Sequence, residues 1–140
     1  MKKRVWIPLG LLLFAAFGFS QNSRTIRVEV AYTGKGTVDA NHKIYVALWN
    51  SAQMDGGPPI DVKPLDAKNG FVTFTDVQVA PAFVNTAYDP TGHWDAQSPP
   101  PSGSSIGLYA TKPPTPDPIN AAPGKTTTVK ITFDDSQKVQ

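Results

Sequence analysis

A seven-residue segment beginning at Asp89 has the residue types and spacing closest to those of a chemical site. Asp89, Thr91, His93 and Asp95 fall at alternate positions, and Gly92 permits a tight bend between them. Oxygen ligands at such a spacing can wrap around Ca²⁺, so Asp89, Thr91 and Asp95 are candidate metal ligands. In the alternative, the segment is a metal-free turn in which the Asp89 carboxylate accepts backbone N–H groups and Gly92 adopts a positive φ. The turn is favoured because the segment lacks the bidentate Glu of a full calcium loop.

Other potential metal ligands are few. Asp134 and Asp135 end the last predicted strand and would add negative charge if they lay beside the first segment. A zinc or copper site has less support, because the chain has two histidines, His42 and His93, and no cysteine. The sequence therefore predicts no cofactor, with Ca²⁺ as the alternative.

Aromatic residues suggest a second kind of site, since aromatic rings stack on sugar faces. Trp49 and Tyr88 fall in predicted strands and are expected in the core, where aromatic rings supply large buried area. Trp94 lies in a loop, beside His93, and Tyr109 lies at the end of a short apolar run. Trp94, His93 and Tyr109 are therefore the candidate ligand-binding residues.

The pentapeptide Gly103-Ser104-Ser105-Ile106-Gly107 matches the G-x-S-x-G pattern of hydrolase nucleophiles. That pattern works where a strand turns sharply into a helix, whereas here a triple-proline loop precedes it and an apolar strand follows. A small secreted hydrolase would require His93, Asp95 and a serine from residues 102–105 to converge. The sequence therefore predicts no enzyme, with such a hydrolase as a further alternative.

Charge and cysteine content restrict the class of protein. The 140 residues include 13 Lys+Arg, 11 Asp+Glu and no Cys, which excludes a disulfide scaffold and a cysteine nucleophile. A basic start and an uncharged apolar run make residues 1–20 typical of a secretory signal peptide. Cleavage would leave ten basic and eleven acidic residues, a balance without the cationic surface that nucleic acid requires. We expect a periplasmic or secreted protein that is not inserted in a membrane after cleavage.

The remaining chain is patterned as short strands separated by turn residues. Alternating apolar residues, many of them β-branched, indicate strands, and no window shows helical periodicity. Residues 44–49 are apolar on both faces, which predicts a central strand, and Pro64 places its own strand at a sheet edge. Asn69-Gly70 is a hairpin-type turn signal. The predicted strands are 26–32, 44–49, 60–65, 71–79, 82–88, 106–110 and 126–133, with Pro-rich loops at 90–105 and 111–124.

Three stretches resemble a known family. Residues 69–77 (Asn-Gly-Phe-Val-Thr-Phe-Thr-Asp-Val), 81–84 (Pro-Ala-Phe-Val) and 87–89 (Ala-Tyr-Asp) are similar to the pattern of carboxypeptidase regulatory-like domains. The resemblance implies the transthyretin-like (prealbumin-type) sandwich and a non-catalytic module. Hydroxyisourate hydrolases share that fold, but their C-terminal Tyr-Arg-Gly-Ser motif is missing here.

The sequence as a whole predicts an all-β protein with one domain. Residues 1–20 form the signal peptide, residues 24–135 an antiparallel, transthyretin-like β-sandwich of about seven strands, and residues 136–140 a polar tail. The expected function is a secreted or periplasmic, non-catalytic binding or interaction module. Its partner is an unknown protein or carbohydrate, with carbohydrate-binding and calcium-binding sandwich modules as alternatives.

Overall fold

The computed structural model describes residues 23–54 and 57–140, so the predicted signal peptide lies outside the described residues. The elements of this part of the chain are seven strands, and it contains no helix long and apolar enough to cross a membrane. The strands are β1 (Arg24–Tyr32), β2 (Ile44–Trp49), β3 (Asp61–Leu65), β4 (Asn69–Val77), β5 (Phe83–Tyr88), β6 (Ile106–Leu108) and β7 (Thr126–Phe133).

The strands form two sheets, which confirms the predicted all-β sandwich. One sheet has the order β4-β1-β7 and the other has the order β3-β2-β5-β6. β2 is central and β3 is an edge strand, both as predicted. In β1 and β7, alternate side chains face inward. The core cluster lies between the sheets and includes residues of both: Ile26, Val28, Val30, Ile44, Val46, Leu48, Val72, Phe74, Val84, Val129, Ile131 and Phe133, among others.

Not every pair of strands is antiparallel. β1 and β7 run parallel, with Val28 opposite Val129 and Val30 opposite Ile131, while the other ladders are antiparallel. The long connection from β1 through the other strands to β7 makes this possible, because parallel neighbours need a crossover rather than a hairpin. The predicted antiparallel sandwich is confirmed except for this one pair, which is parallel.

The predicted turn at Asn69-Gly70 was also wrong. Both residues belong to β4, where Asn69 lies opposite Ala31 and Gly70 opposite Val30. The turn precedes them at residues 66–68, and the Tyr32 N–H donates to the Lys68 carbonyl at 2.8 Å. Because β3 and β4 belong to different sheets, the connection crosses between the sheets and forms no hairpin.

A β-bulge in β4 changes which side chains face the core. Arg24 pairs with Val77 and Ile26 with Phe74, so Thr75 and Asp76 together lie opposite one β1 residue. Asp76 has a φ of 53°, in the left-handed region. The extra residue brings Val77 onto the buried side with Phe74, although strict alternation would place the two on opposite sides.

The C-terminal residues pair with the segment before β6. The Ile106 N–H donates to the Gln137 carbonyl at 2.9 Å, and the Val139 N–H donates to the Ser104 carbonyl at 3.0 Å. An isolated bridge joins Ser105 to Lys138. Part of the segment predicted as a polar tail is therefore hydrogen-bonded along the outer side of β6.

Candidate functional site

The Asp89 segment forms a turn organised by one buried carboxylate. Asp89 is 2% exposed, and its Oδ1 accepts the Thr91 N–H at 2.8 Å and the Thr91 hydroxyl at 2.6 Å. Its Oδ2 accepts the Trp94 N–H at 3.0 Å, and Gly92 has a φ of 74°. These are the features of the predicted turn: a carboxylate that accepts backbone N–H groups and a glycine in the left-handed region.

The pKa of Asp89 reflects the same contacts. Burial raises this pKa, but the hydrogen bonds from the Thr91 hydroxyl and from the backbone of Trp94 and Thr91 outweigh burial. The net pKa is lowered, because each donor favours the charged carboxylate. The carboxylate is therefore ionised and occupied by donors within its own turn.

The other candidate metal ligands are directed elsewhere. Thr91 uses its hydroxyl on Asp89 and accepts the His93 N–H at 3.1 Å, while exposed Asp95 accepts the Gln97 N–H at 2.9 Å. Asp134 accepts the Ser136 N–H and does not join the turn. Within residues 23–54 and 57–140, no group of three or more His, Cys, Asp or Glu side chains is placed to hold a metal ion. Calcium binding by Asp89, Thr91 and Asp95 thus has no geometric support beyond the spacing.

We expect Asp89→Ala to lower the free energy of unfolding by about 2 kcal/mol, since it removes three hydrogen bonds to a charged acceptor. The cost is limited because Thr91 is exposed and its donors can bind water instead. Thermal melting with calcium and with chelator is the measurement, and we expect the same midpoint in both.

Asp95→Ala is the matched control, with a cost below about 0.5 kcal/mol at an exposed position. A calcium-dependent rise in the wild-type melting midpoint that disappears in Asp89→Ala would show that the segment is a metal site and would contradict the metal-free turn.

Trp94, the first candidate ligand-binding residue, is held in place by its neighbours. Its ring meets the Tyr45 ring edge-on, with centroids 5.0 Å apart at 80°. Its indole N–H donates to the Ser98 carbonyl at 2.9 Å, and the Tyr45 hydroxyl donates to the Trp94 carbonyl at 3.3 Å. Trp94 therefore covers one end of β2 on the side of the sheet that faces away from the core.

Of the other two candidate ligand-binding residues, His93 stays next to Trp94 and Tyr109 does not. His93 is exposed in the turn. Tyr109 is half-buried and packs against the core between the sheets, whereas Tyr45 and Trp94 lie on the opposite side of the four-stranded sheet. The structure thus places Tyr109 apart from Trp94, while His93 stays beside Trp94 in the turn.

The outward side of the four-stranded sheet was missed as a site by sequence reasoning. Residues opposite each other in a ladder share a face, so Ala47 and Asn85 lie beside each other there, and so do Trp49 and Phe83. Leu108 continues this face on β6, opposite Asn85. Four of these side chains are half-buried and Phe83 is 8% exposed, and none of the five belongs to the core cluster. The apolar second face of β2, which the sequence shows, was the signal for this surface.

Trp49 is the main feature of this surface. It was predicted in the core, but it lies outside the core cluster and is half-buried, because its face of β2 points away from the other sheet. Its indole N–H donates to Asn85 Oδ1 at 2.9 Å. That bond fixes the indole across β2 and β5 and leaves the Asn85 amide N–H₂ available as a donor. Tyr88, by contrast, is buried in the core as predicted.

A second polar cluster lies at the end of the sandwich where β1, β5 and β7 finish. Asp135 Oδ1 accepts the Tyr32 hydroxyl at 2.6 Å and the Ser105 hydroxyl at 2.7 Å, and Oδ2 accepts the Lys35 N–H at 2.8 Å. The Ser105 bond, the Tyr32 bond and the Lys35 bond lower the pKa of Asp135 to about 2. Burial and Asp135 raise the pKa of Tyr32, so its hydroxyl remains a donor. We refer to Tyr32, Ser105 and Asp135 as the end cluster.

The serines of the G-x-S-x-G match are inside the protein. Ser105 is 1% exposed and bonded to Asp135, and Ser104 is fully buried. His93 and Asp95 are both exposed in the turn. Neither buried serine is hydrogen-bonded to His93 or Asp95, since the Ser105 hydroxyl donates to Asp135 and the Ser104 hydroxyl has no partner among the described residues.

Comparison with known protein families, with curated proteins and with solved structures found no match.

Proposed function

We propose that this chain is an exported, non-catalytic binding module of the transthyretin-like kind, found in the periplasm or outside the cell. Two sheets of three and four strands support the fold assignment. The positions of the reactive side chains support a non-catalytic role. Asp89 and Asp135 are occupied by hydrogen bonds within the fold, and Ser104 and Ser105 are buried from any substrate.

The ligand surface that we propose is the outward face around Ala47, Trp49, Asn85 and Leu108, and the ligand is a carbohydrate. The observation that carries this proposal is the half-buried indole of Trp49, fixed to the neighbouring strand by Asn85. A ring immobilised before binding loses little conformational entropy when a sugar stacks on it. The free amide N–H₂ of Asn85 is placed to donate to a sugar hydroxyl beside the ring.

Trp49→Ala tests this proposal. We expect the wild-type protein to bind at least one soluble glycan of a polysaccharide and oligosaccharide array, and Trp49→Ala to bind it at least tenfold more weakly, or about 1.4 kcal/mol. Asn85→Ala should also weaken binding, because it removes both the donor and the bond that fixes the indole. Isothermal titration calorimetry gives the affinities.

Trp94→Phe is the control, since it keeps a ring against Tyr45 and leaves the Trp49 surface unchanged. We expect its affinity to equal that of the wild type. Failure of the wild type to bind any glycan, or binding that Trp94→Phe weakens and Trp49→Ala does not, would contradict the proposal.

A further inference from the structure

The outward face of the four-stranded sheet is divided into rows of side chains that cross the strands. Residues paired in a ladder share a face, so pairs that follow one another across the sheet form a row. Ala47 pairs with Val62 of β3 and with Asn85 of β5, and Asn85 pairs with Leu108 of β6. We refer to Val62, Ala47, Asn85 and Leu108, all half-buried, as the middle row. Because neighbouring strands lie about 4.8 Å apart, the middle row is about 14 Å long.

Aromatic rings border the middle row on both sides. On one side Trp49 pairs with Phe83, and on the other the Tyr45 ring meets the Trp94 ring edge-on at 5.0 Å. Ala47 lies between Trp49 and Tyr45 on β2, and its small side chain makes the row lower than its borders. A chain-shaped ligand therefore fits across the strands, because a path along β2 would meet the Tyr45 and Trp94 rings.

Trp49 is connected to the middle row through Asn85. The indole N–H donates to Asn85 Oδ1 at 2.9 Å, which brings the ring from its own row to the border of the middle row. A sugar stacked on this ring lies beside the free Asn85 amide N–H₂, and the units joined to it extend toward Val62 and toward Leu108. A pyranose unit lengthens an extended chain by about one strand spacing, so the row accommodates about four units.

The charged side chains of the edge strand β3 lie on the other face of the sheet. Asp61 pairs with Leu48 and Lys63 pairs with Val46, and both partners belong to the core cluster. Asp61 and Lys63 therefore alternate with Val62, and the middle row itself carries no charge. A carboxylate or sulfate group on a sugar would lose its hydration at this row without gaining a cation. The row thus favours an uncharged glycan.

We infer that the carbohydrate is an uncharged, linear, β-linked glycan, bound across the strands along the middle row through about four sugar units. β-Linked pyranose units with equatorial hydroxyls form a flat ribbon that has C–H groups on both faces and hydroxyls along its edges. Such a ribbon matches the apolar side chains of Val62, Ala47 and Leu108, and its edge hydroxyls reach the Asn85 amide. The inference rests on the proposed binding function and adds the class, length and direction of the glycan.

A series of cello-oligosaccharides tests the length and the charge of the ligand by isothermal titration calorimetry. We expect the affinity to increase about tenfold from cellobiose to cellotetraose, because the added units cover further apolar surface. From cellotetraose to cellohexaose it should change less than about twofold, because the row is then filled. Cellotetraose whose primary hydroxyls are oxidised to carboxylates should bind about tenfold more weakly than cellotetraose itself.

Serine variants at the two ends of the row test its direction. Val62→Ser and Leu108→Ser should each weaken cellotetraose binding about threefold, with little effect on the shorter cellobiose. Pro64→Ser and Ile106→Ser are the matched controls, because they lie on the same two strands and the same face but in the row that contains Tyr45. They should bind both sugars like the wild type. Thermal melting shows whether each variant is folded.

Methyl NMR of the wild type gives the direction without any variant. Cellotetraose should shift the Val62 and Leu108 methyl signals at the two ends of the row, and the Asn85 side-chain amide between them. A glycan that binds through Trp49 with equal affinity as two and as four units, or that Pro64→Ser weakens as much as Val62→Ser, would overturn the inference and leave the proposed binding function. A wild type that binds a glycan through Trp49 but none of the cello-oligosaccharides would do the same. A wild type that binds no glycan would contradict both.

Discussion

Replacing Asp135 by alanine is expected to lower the free energy of unfolding by about 3 kcal/mol, because the variant leaves two buried hydroxyls without an acceptor. Tyr32 and Ser105 are 2% and 1% exposed, so water cannot replace the carboxylate without entering the end of the sandwich. For a domain of this size the melting midpoint should fall by about 10 °C. Thermal and urea unfolding measure the change.

Asp134→Ala is the control for this prediction. Asp134 is exposed and accepts the Ser136 N–H one residue from the end cluster, so its loss should cost less than about 1 kcal/mol. Equal costs for the two variants would contradict the role of Asp135 as the acceptor of two buried hydroxyls.

The stabilisation by Asp135 is expected to depend on pH in the acid range. Its pKa is lowered in the folded protein from 3.8 to about 2, so the unfolded state takes up a proton first as the pH falls. The contribution is therefore complete above about pH 5 and decreases progressively as the pH approaches 2. The difference in unfolding free energy between wild type and Asp135→Ala should be constant near neutral pH and shrink below about pH 4.

Phe74→Ala is expected to lower the free energy of unfolding by about 4 kcal/mol, the second large effect. Phe74 is 1% exposed and belongs to the core cluster, so its removal loses buried area and leaves a cavity. Phe71, three residues earlier on the same strand, is 50% exposed and has the Arg27 guanidinium 3.5 Å above its ring. Phe71→Ala should cost less than about 1 kcal/mol, the range of an exposed cation–π contact.

This pair of phenylalanines tests the register of β4, because urea unfolding of the two variants reports which ring is inside. A shift of the β4 register by one residue would move every side chain to the other face. Comparable costs, or a larger cost for Phe71→Ala, would show that the strand has a different register.

The sequence predicts the regular strands well and the irregular ones less well. Residues 44–49 and 126–133 match β2 and β7, because alternation with β-branched residues depends on the strand itself. The bulge at Asp76 has no such signature, since it depends on how β4 pairs with β1. Asn69-Gly70 is a frequent turn pair, but here Asn69 pairs with Ala31, and the Tyr32 N–H bonds to the residue before Asn69. The segment therefore belongs to a β-ladder.

The candidate sites also differ in how far the sequence predicts them. The Asp89 turn could be predicted because its donors follow within five residues. The end cluster could not, because Asp135 is 30 residues from Ser105 and 103 residues from Tyr32. Trp49 was assigned to the core because an aromatic residue in a strand is usually buried, and the chain alone does not show which face of β2 the other sheet covers.

The position of the ligand tests the proposed binding function most directly. Beyond the predicted signal peptide the chain has two tryptophans, Trp49 and Trp94, so each gives one indole N–H signal in a ¹⁵N–¹H NMR spectrum. Titration with the glycan identified on the array should shift the Trp49 indole signal and the Asn85 side-chain amide, and leave the Trp94 indole in place. Shifts centred on Trp94 and the Asp89 turn, with Trp49 and Asn85 unchanged, would contradict binding on the outward face of the four-stranded sheet.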